Sequence, residues 1–109
     1  MKKISVLFVC LGNICRSPAA EAIFISLLER KGLIDGFIVD SAGTGSWHIG
    51  KKADSRMRLA AERRDINILS RARQITSKDF NEFNYILAMD DSNFRNIQDL
   101  KKRTEIFFI

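Results

Sequence analysis

The sequence is poor in the residues that build metal sites and disulfide scaffolds. It holds two cysteines, Cys10 and Cys15, and one histidine, His48. Two cysteines cannot staple a disulfide framework, and neither lies in a zinc-ligand spacing, so no metal and no other cofactor is expected. Proline occurs once, at Pro18. No apolar run approaches the roughly 18 residues of a membrane-spanning helix, so no membrane partner is expected either. Met1-Lys2-Lys3 followed by an apolar stretch over 4–11 has a faint signal-peptide outline. That run is short, contains Ser5 and leads into Gly12-Asn13 instead of a small-residue cleavage site. It is read as a buried strand, and the protein as cytoplasmic.

What is present is ordinary for a globular α/β chain. The 109 residues suit one domain, with 46% apolar and 28% charged residues. Net charge is +5. Basic residues recur at Lys51, Lys52, Arg56, Arg58, Arg63, Arg64, Arg71 and Arg73, and again at Lys101-Lys102-Arg103. Two readings stand: a solvated face, or a field that draws anionic ligands. Nucleic acid is not the expected anion, because no binding motif is present and aromatics are not interleaved with the basic residues.

Residues 4–9 are nearly all apolar and β-rich, as in a strand buried on both faces of a parallel sheet. A loop follows over 10–17. Ser17 is a good N-cap and Pro18 suits the first helical position. Ala20, Ile23, Phe24, Leu27 and Leu28 then form one stripe at helical spacing, ended by Arg30, Lys31 and Gly32. A second strand is expected over 37–40 and a glycine-rich loop over 41–50. A second helix is capped by Asp54 or Ser55 and runs to about Arg64, with Met57, Ala60 and Ala61 inward. Thr76-Ser77-Lys78-Asp79 has the form of a capping box for a short helix carrying Phe80 and Phe83. A third strand is expected over 85–89, a helix from Asp91-Ser92 with Phe94, Ile97 and Leu100 inward, and a fourth strand over 105–109. Alternating strands and helices predict a three-layer α/β fold with a four-stranded parallel sheet flanked by helices. The chain stops in or at the end of the fourth strand, where a covering helix is expected to follow.

The loop between the first strand and first helix carries the chemistry. It reads Cys10-Leu11-Gly12-Asn13-Ile14-Cys15-Arg16-Ser17-Pro18. A strand-to-helix loop can turn successive N–H groups toward an anion, and a helix N-terminus adds positive potential. Gly12 permits unusual backbone angles and Asn13 tolerates the left-handed region. Arg16 offers bidentate hydrogen bonds to a phosphoryl group. Cys10 stands where positive potential favours a thiolate, and Ser17 can hydrogen-bond its sulfur. Cysteine, five residues, arginine, serine predicts attack on a phosphate ester through a phosphocysteine. The same residues in the wrong context would be only a strand ending in a buried cysteine before a capped helix.

This loop closely resembles the active-site loop of low-molecular-weight protein-tyrosine-phosphatases. The resemblance continues through Asp40-Ser41-Ala42-Gly43-Thr44 with Trp47, Ala72-Arg73-Gln74-Ile75 and Met89-Asp90-Asp91-Ser92-Asn93, and spans essentially the whole chain. It implies a phosphatase I-like fold over 1–109 and metal-free hydrolysis of a phosphotyrosine protein or small aryl phosphate. It implies Cys10 as nucleophile and Arg16 as phosphate ligand, with Leu11, Gly12, Asn13, Ile14, Cys15, Ser17 and Ser41 lining or supporting the loop. Trp47 resembles an aromatic wall of the substrate cleft, against the plainer reading of a packed tryptophan. In relatives a second loop cysteine pairs reversibly with the nucleophile under peroxide; for Cys15 that stands beside the reading of a small buried hydrophobe.

The chain departs from the family pattern in two places. The family's general acid is an aspartate in an Asp-Pro segment past the fourth strand, and the one proline here is Pro18. The resemblance therefore implies a member lacking the C-terminal helix and the general acid, incomplete at its C-terminus; none of Asp40, Asp79, Asp90 or Asp91 takes the acid's place by resemblance. Ser70 stands where many relatives carry a histidine. Three alternatives follow: a phosphate- or phosphotyrosine-binding module without useful turnover; an arsenate reductase, which needs further relay cysteines; and an arginine phosphatase, whose loop typically has threonine where Ile14 stands. Oligomeric state is left open by the sequence.

Overall fold

The computed structural model describes residues 2–100 in full and the backbone of residues 106–108. β1 (Ile4–Cys10) is buried from its second residue to its last. It lies inside a four-stranded sheet of order β2-β1-β3-β4, all pairs parallel, with β2 Phe37–Gly43, β3 Tyr85–Ala88 and β4 Ile106–Phe108. A strand buried on both faces and both edges needs apolar side chains throughout, which is why it reads as a continuous run. The connections put β2 on one side of β1 and β3 on the other. The loop leaving β1 therefore opens at the point where the strand order reverses, where open α/β sheets bind ligands.

One face of the sheet sets Leu7, Val9, Ala42, Ile86 and Ala88 against Ile75 and Ile97, with Phe80, Phe83 and Phe94 packed around them. Ile97 belongs to α4 (Asp91–Leu100) and Phe80 to the single turn α3 (Asp79–Glu82). The other face meets α1 (Arg16–Arg30), where Phe24 stands edge-on to Phe8 and to Phe37 at 5.8 and 5.7 Å. α2 (Ser55–Glu62) starts at Asp54, whose carboxylate accepts from the Met57 N–H at 3.1 Å.

Several boundaries differ from the sequence expectation. α1 begins at Arg16 with Cys15 in the capping position, so Ser17 is not the N-cap; its hydroxyl is used elsewhere. Pro18 still sits in the first turn, where a missing N–H costs nothing. On α1, Leu28 is buried and Phe24 half-buried, but Ile23 and Leu27 are exposed. The helix rolls so that Ser17 and Pro18 face inward, and Ile23 moves to its flank above α2. There Met57, Ala60 and Ala61 line a shallow cavity with Ala19 and Ile23, and no α2 residue is buried. Leu100, expected inward, is exposed. β2 runs on to Gly43 because 41–43 keep pairing with 8–10 of β1, which takes Ser41 out of the expected loop. Of the fourth strand's expected span, Glu105 and Ile109 lie outside the described residues, as do Lys101-Lys102-Arg103. Among the described residues no helix is long and apolar enough to cross a membrane.

Candidate active site

The loop from β1 to α1 is held by its carbonyls. Cys10 O accepts from Thr44 N at 2.9 Å, Leu11 O from Gly45 N at 2.9 Å, Ile14 O from Asp54 N at 2.6 Å and Cys15 O from Ala19 N at 3.3 Å. The N–H groups of Gly12, Ile14 and Cys15 have no protein acceptor among the described residues. A loop that spends its carbonyls on the protein and keeps its N–H groups is built for an anion. Asn13 makes the bend, at φ 56°. Gly12 does not use its conformational freedom; a side chain there would meet the His48 ring, its Cβ 3.0 Å from Cδ2. Gly43 allows β2 to pass the loop, since a Cβ would lie 2.7 Å from Leu11 O.

Cys10 is 3% exposed. Its Sγ lies 3.0 Å from Ser17 Oγ and receives the Asn13 N–H at 3.3 Å. Asn13 is the hub. Its amide nitrogen donates to Ser17 Oγ at 2.8 Å and to Ser41 Oγ at 3.0 Å, while its Oδ1 accepts from Arg73 N at 2.9 Å. All three side chains are buried. Behind them Ser41 Oγ donates to Glu21 Oε1 at 2.5 Å. Burial pushes the Glu21 carboxyl above its ordinary range; the Ser41 hydrogen bond opposes this and the Asp40 charge adds to it.

Arg73 braces the same region from the other side. Its guanidinium meets both oxygens of Asp79 at 3.0 Å and Asp40 Oδ2 at 3.1 Å. Burial of Asp79 raises its carboxyl, but the Arg73 bonds and the Thr76 N–H outweigh burial and hold it below the usual range. Asp79 accepts the Thr76 N–H at 2.7 Å, but the expected capping box does not form: α3 has Lys78 in the cap position, the Thr76 hydroxyl donates to Asp79 Oδ2 at 3.3 Å, and the Asp79 N–H goes to the Thr76 carbonyl.

At the mouth, Arg16 Nη1 pairs with Asp90 Oδ2 at 2.8 Å and Nη2 reaches Asn93 Oδ1 at 3.4 Å. Asp90 also caps α4 by accepting from Asn93 N at 2.7 Å. That bond first, then Arg16, holds its carboxyl below the ordinary range, which makes it a poor proton donor. Trp47 is 68% exposed, its ring laid over Gly45 so closely that a Cβ there would come 1.7 Å from Cζ3. With Leu11, Thr44, Asn96, Asp99 and Leu100 it borders a cleft of about 310 Å³. Cys15 is exposed, which removes the reading of it as a buried hydrophobe.

Cys10, Asn13, Ser17 and Ser41 are thus in one hydrogen-bonded group and Arg16 in a second with Asp90 and Asn93, while Trp47 borders a cleft that it shares with Leu11 of the loop. Glu21 is the residue that sequence reasoning missed. Its signal was its position four residues after Ser17, one turn along the same face of the helix that the loop opens.

Parallel sheet, strand-to-helix anion loop and buried cysteine at its base define a phosphatase I-like α/β protein. The model of the family "Low molecular weight phosphotyrosine protein phosphatase" matches residues 5–109. The chain belongs to that family. It is 50% identical over 101 residues to the low molecular weight phosphotyrosine protein phosphatase of Schizosaccharomyces pombe, covering 92% of this chain and 65% of that protein. To the Homo sapiens protein of the same name it is 50% identical over 93 residues, covering 85% and 59%. The chain thus spans roughly three-fifths of the length of the curated relatives it matches. A crystal structure of a protein tyrosine phosphatase from Entamoeba histolytica superposes with a TM-score of 0.94 at 44% identity, over 97% of this chain and 70% of that one.

Proposed function

We propose that residues 1–109 form a cytoplasmic protein-tyrosine phosphatase domain acting through Cys10. The observation that carries the reading is Cys10 Sγ at the base of the anion loop, 3.0 Å from Ser17 Oγ and 3.3 Å from the Asn13 N–H. In this reading the Cys10 thiolate attacks phosphorus and the bond from phosphorus to the aryl oxygen breaks. The phosphoryl oxygens take the N–H groups of Gly12, Ile14 and Cys15 and the two arms of Arg16. Water then attacks the phosphocysteine, the S–P bond breaks, and the Ser17 hydroxyl receives the returning thiolate. The net change is aryl phosphate and water to phenol and phosphate. Leu11 and Trp47 flank the substrate ring. The cytoplasm suits a mechanism that needs Cys10 reduced.

Asp90, the carboxylate paired with Arg16, does not serve protonation of the leaving oxygen. Asp90 is tied to Arg16 and held ionised, which favours a second reading: a phosphate- or phosphotyrosine-binding module with slow turnover. General acid help is worth about 10²–10⁴-fold, most for poor leaving groups. Turnover of p-nitrophenyl phosphate and of a phosphotyrosine peptide, each with a Cys10→Ser control, separates the two. Hydrolysis of the activated ester, lost in the control, supports the phosphatase. Tight peptide binding without turnover of either substrate supports the module.

A further inference from the structure

We propose that Glu21 is a positioning residue: as a carboxylate it sets the direction of a hydrogen-bond chain, Glu21–Ser41–Asn13–Ser17–Cys10, that aims the Ser17 hydroxyl at the Cys10 sulfur. This rests on the reading of Cys10 as the reacting group.

The argument is a count of protons. The Asn13 amide has two donors, and both are used, on Ser41 Oγ and Ser17 Oγ. Each serine oxygen is therefore an acceptor toward Asn13 and must send its own proton elsewhere. For Ser17 the near partner is Cys10 Sγ at 3.0 Å; the Ala42 carbonyl stands further off at 3.5 Å. For Ser41 the partner is Glu21 Oε1 at 2.5 Å. The Asn13 amide cannot turn over without loss, because its oxygen is held by the Arg73 N–H at 2.9 Å. Every proton in the chain has an acceptor when Glu21 is ionised. A protonated Glu21 is a weaker acceptor and carries a proton of its own; where that proton turns to Ser41 Oγ, the Ser41 proton is displaced and competes with the Asn13 amide. The misfit is passed to a buried hub, where an unpaired polar group is costly.

Glu21 also borders a solvent-open space. It lines a cavity of about 380 Å³ between α1 and residues 65–70. The groups that face it are Asp40 from β2, Arg73 from the strand-like segment before α3, and the hydroxyls of Ser41 and Ser70. Glu29 and Asp65 share the cavity wall. Burial raises the Glu21 carboxyl, Asp40 adds to this, and the two hydroxyls and Arg73 oppose it, so its change of state falls above the usual carboxylate range. The active arrangement is then lost as pH falls through that raised value. The stability sign is opposite. An acid whose folded-state pKa is raised stabilises the fold most at low pH, and that contribution is lost as pH rises through the raised value. Ionised Glu21 is thus kept at a cost to the fold, as expected of a functional charge.

The test is the pH profile of Cys10 alkylation by iodoacetamide, read at Cys10 by peptide mass spectrometry, in the intact chain and in Glu21→Gln. Glutamine fills the same space and cannot titrate. The ratio of wild-type to variant rate is expected to fall severalfold as pH drops through the raised range of Glu21. Thermal unfolding of Glu21→Gln is expected to match or exceed wild type at neutral pH and to lose that advantage in acid. A ratio that stays constant with pH overturns the proposal, because a purely structural contact has no titration. Hydrolysis of p-nitrophenyl phosphate is measured on the same samples. Absent turnover with a pH-dependent ratio would defeat the phosphatase reading alone; normal turnover with a flat ratio would defeat the role of Glu21 alone.

Discussion

The front and the back of the anion loop are held by different physics. At the back, Ser17, Asn13 and Ser41 are buried, and the two bonds that the Asn13 amide donates join neutral groups away from solvent. At the front, Arg16 and Asp90 meet as an ion pair with nearly half of each side chain in solvent. A buried polar group without its partner costs about 1–3 kcal/mol, whereas an exposed ion pair is worth about 0–1 kcal/mol. The back therefore fixes the shape of the loop at the expense of any freedom to vary. The front can release its pair cheaply, which is what the phosphatase reading asks of Arg16.

The largest effect that would break this contrast is at the hub. Asn13→Ala leaves Ser17, Ser41 and the Arg73 N–H short of a partner and puts a non-glycine, non-asparagine side chain at φ 56°. A stability loss of about 2–4 kcal/mol is expected in a denaturant melt, together with loss of Cys10 reactivity. A loss below about 1 kcal/mol would show that the back is no more demanding than the front.

Next is Arg16→Lys. The charge remains and the two-armed geometry goes. On the phosphatase reading, kcat/KM for an aryl phosphate should fall on the order of 10²-fold while the denaturation midpoint stays put. An equal fall in stability would mean that Arg16 is part of the scaffold.

The smallest effect is at Asp90. Asp90→Asn keeps a cap for α4 and frees Arg16. Phosphate should bind a few-fold more tightly at low salt, with the difference shrinking as ionic strength rises. Salt-independent tightening would point to the cap instead of the charge.

Much of the fold and loop was legible in the sequence because those parts obey local rules. β1 is a continuous apolar run because it is enclosed, and Asn13 is the residue that tolerates the left-handed bend. The expectations that failed depended on what lay across the contact. Ser17 has the chemistry of a cap, but a nearby cysteine and asparagine claim its hydroxyl. Ile23 and Leu27 fit a helical stripe, yet α1 turns Ser17 and Pro18 inward, and periodicity alone cannot choose between neighbouring faces. Glu21, one turn after Ser17, is hard to single out for the same reason: an acid on a helix is usually solvated, and only the position of Ser41 on the next strand makes it the end of a chain. Ser41 itself was placed in a loop because glycines after it masked three more residues of pairing.

The bonds that clamp the loop's carbonyls come from the N–H groups of Thr44, Gly45 and Asp54, backbone to backbone. The segment that carries Trp47 beside the cleft is therefore also the splint of the anion site. Because the splint uses no side chains, its exposed Trp47 can be exchanged without touching the bonds that shape the loop. On the phosphatase reading, selectivity and catalysis are then mechanically joined but genetically separable: one stretch of chain offers a replaceable face on a fixed spine.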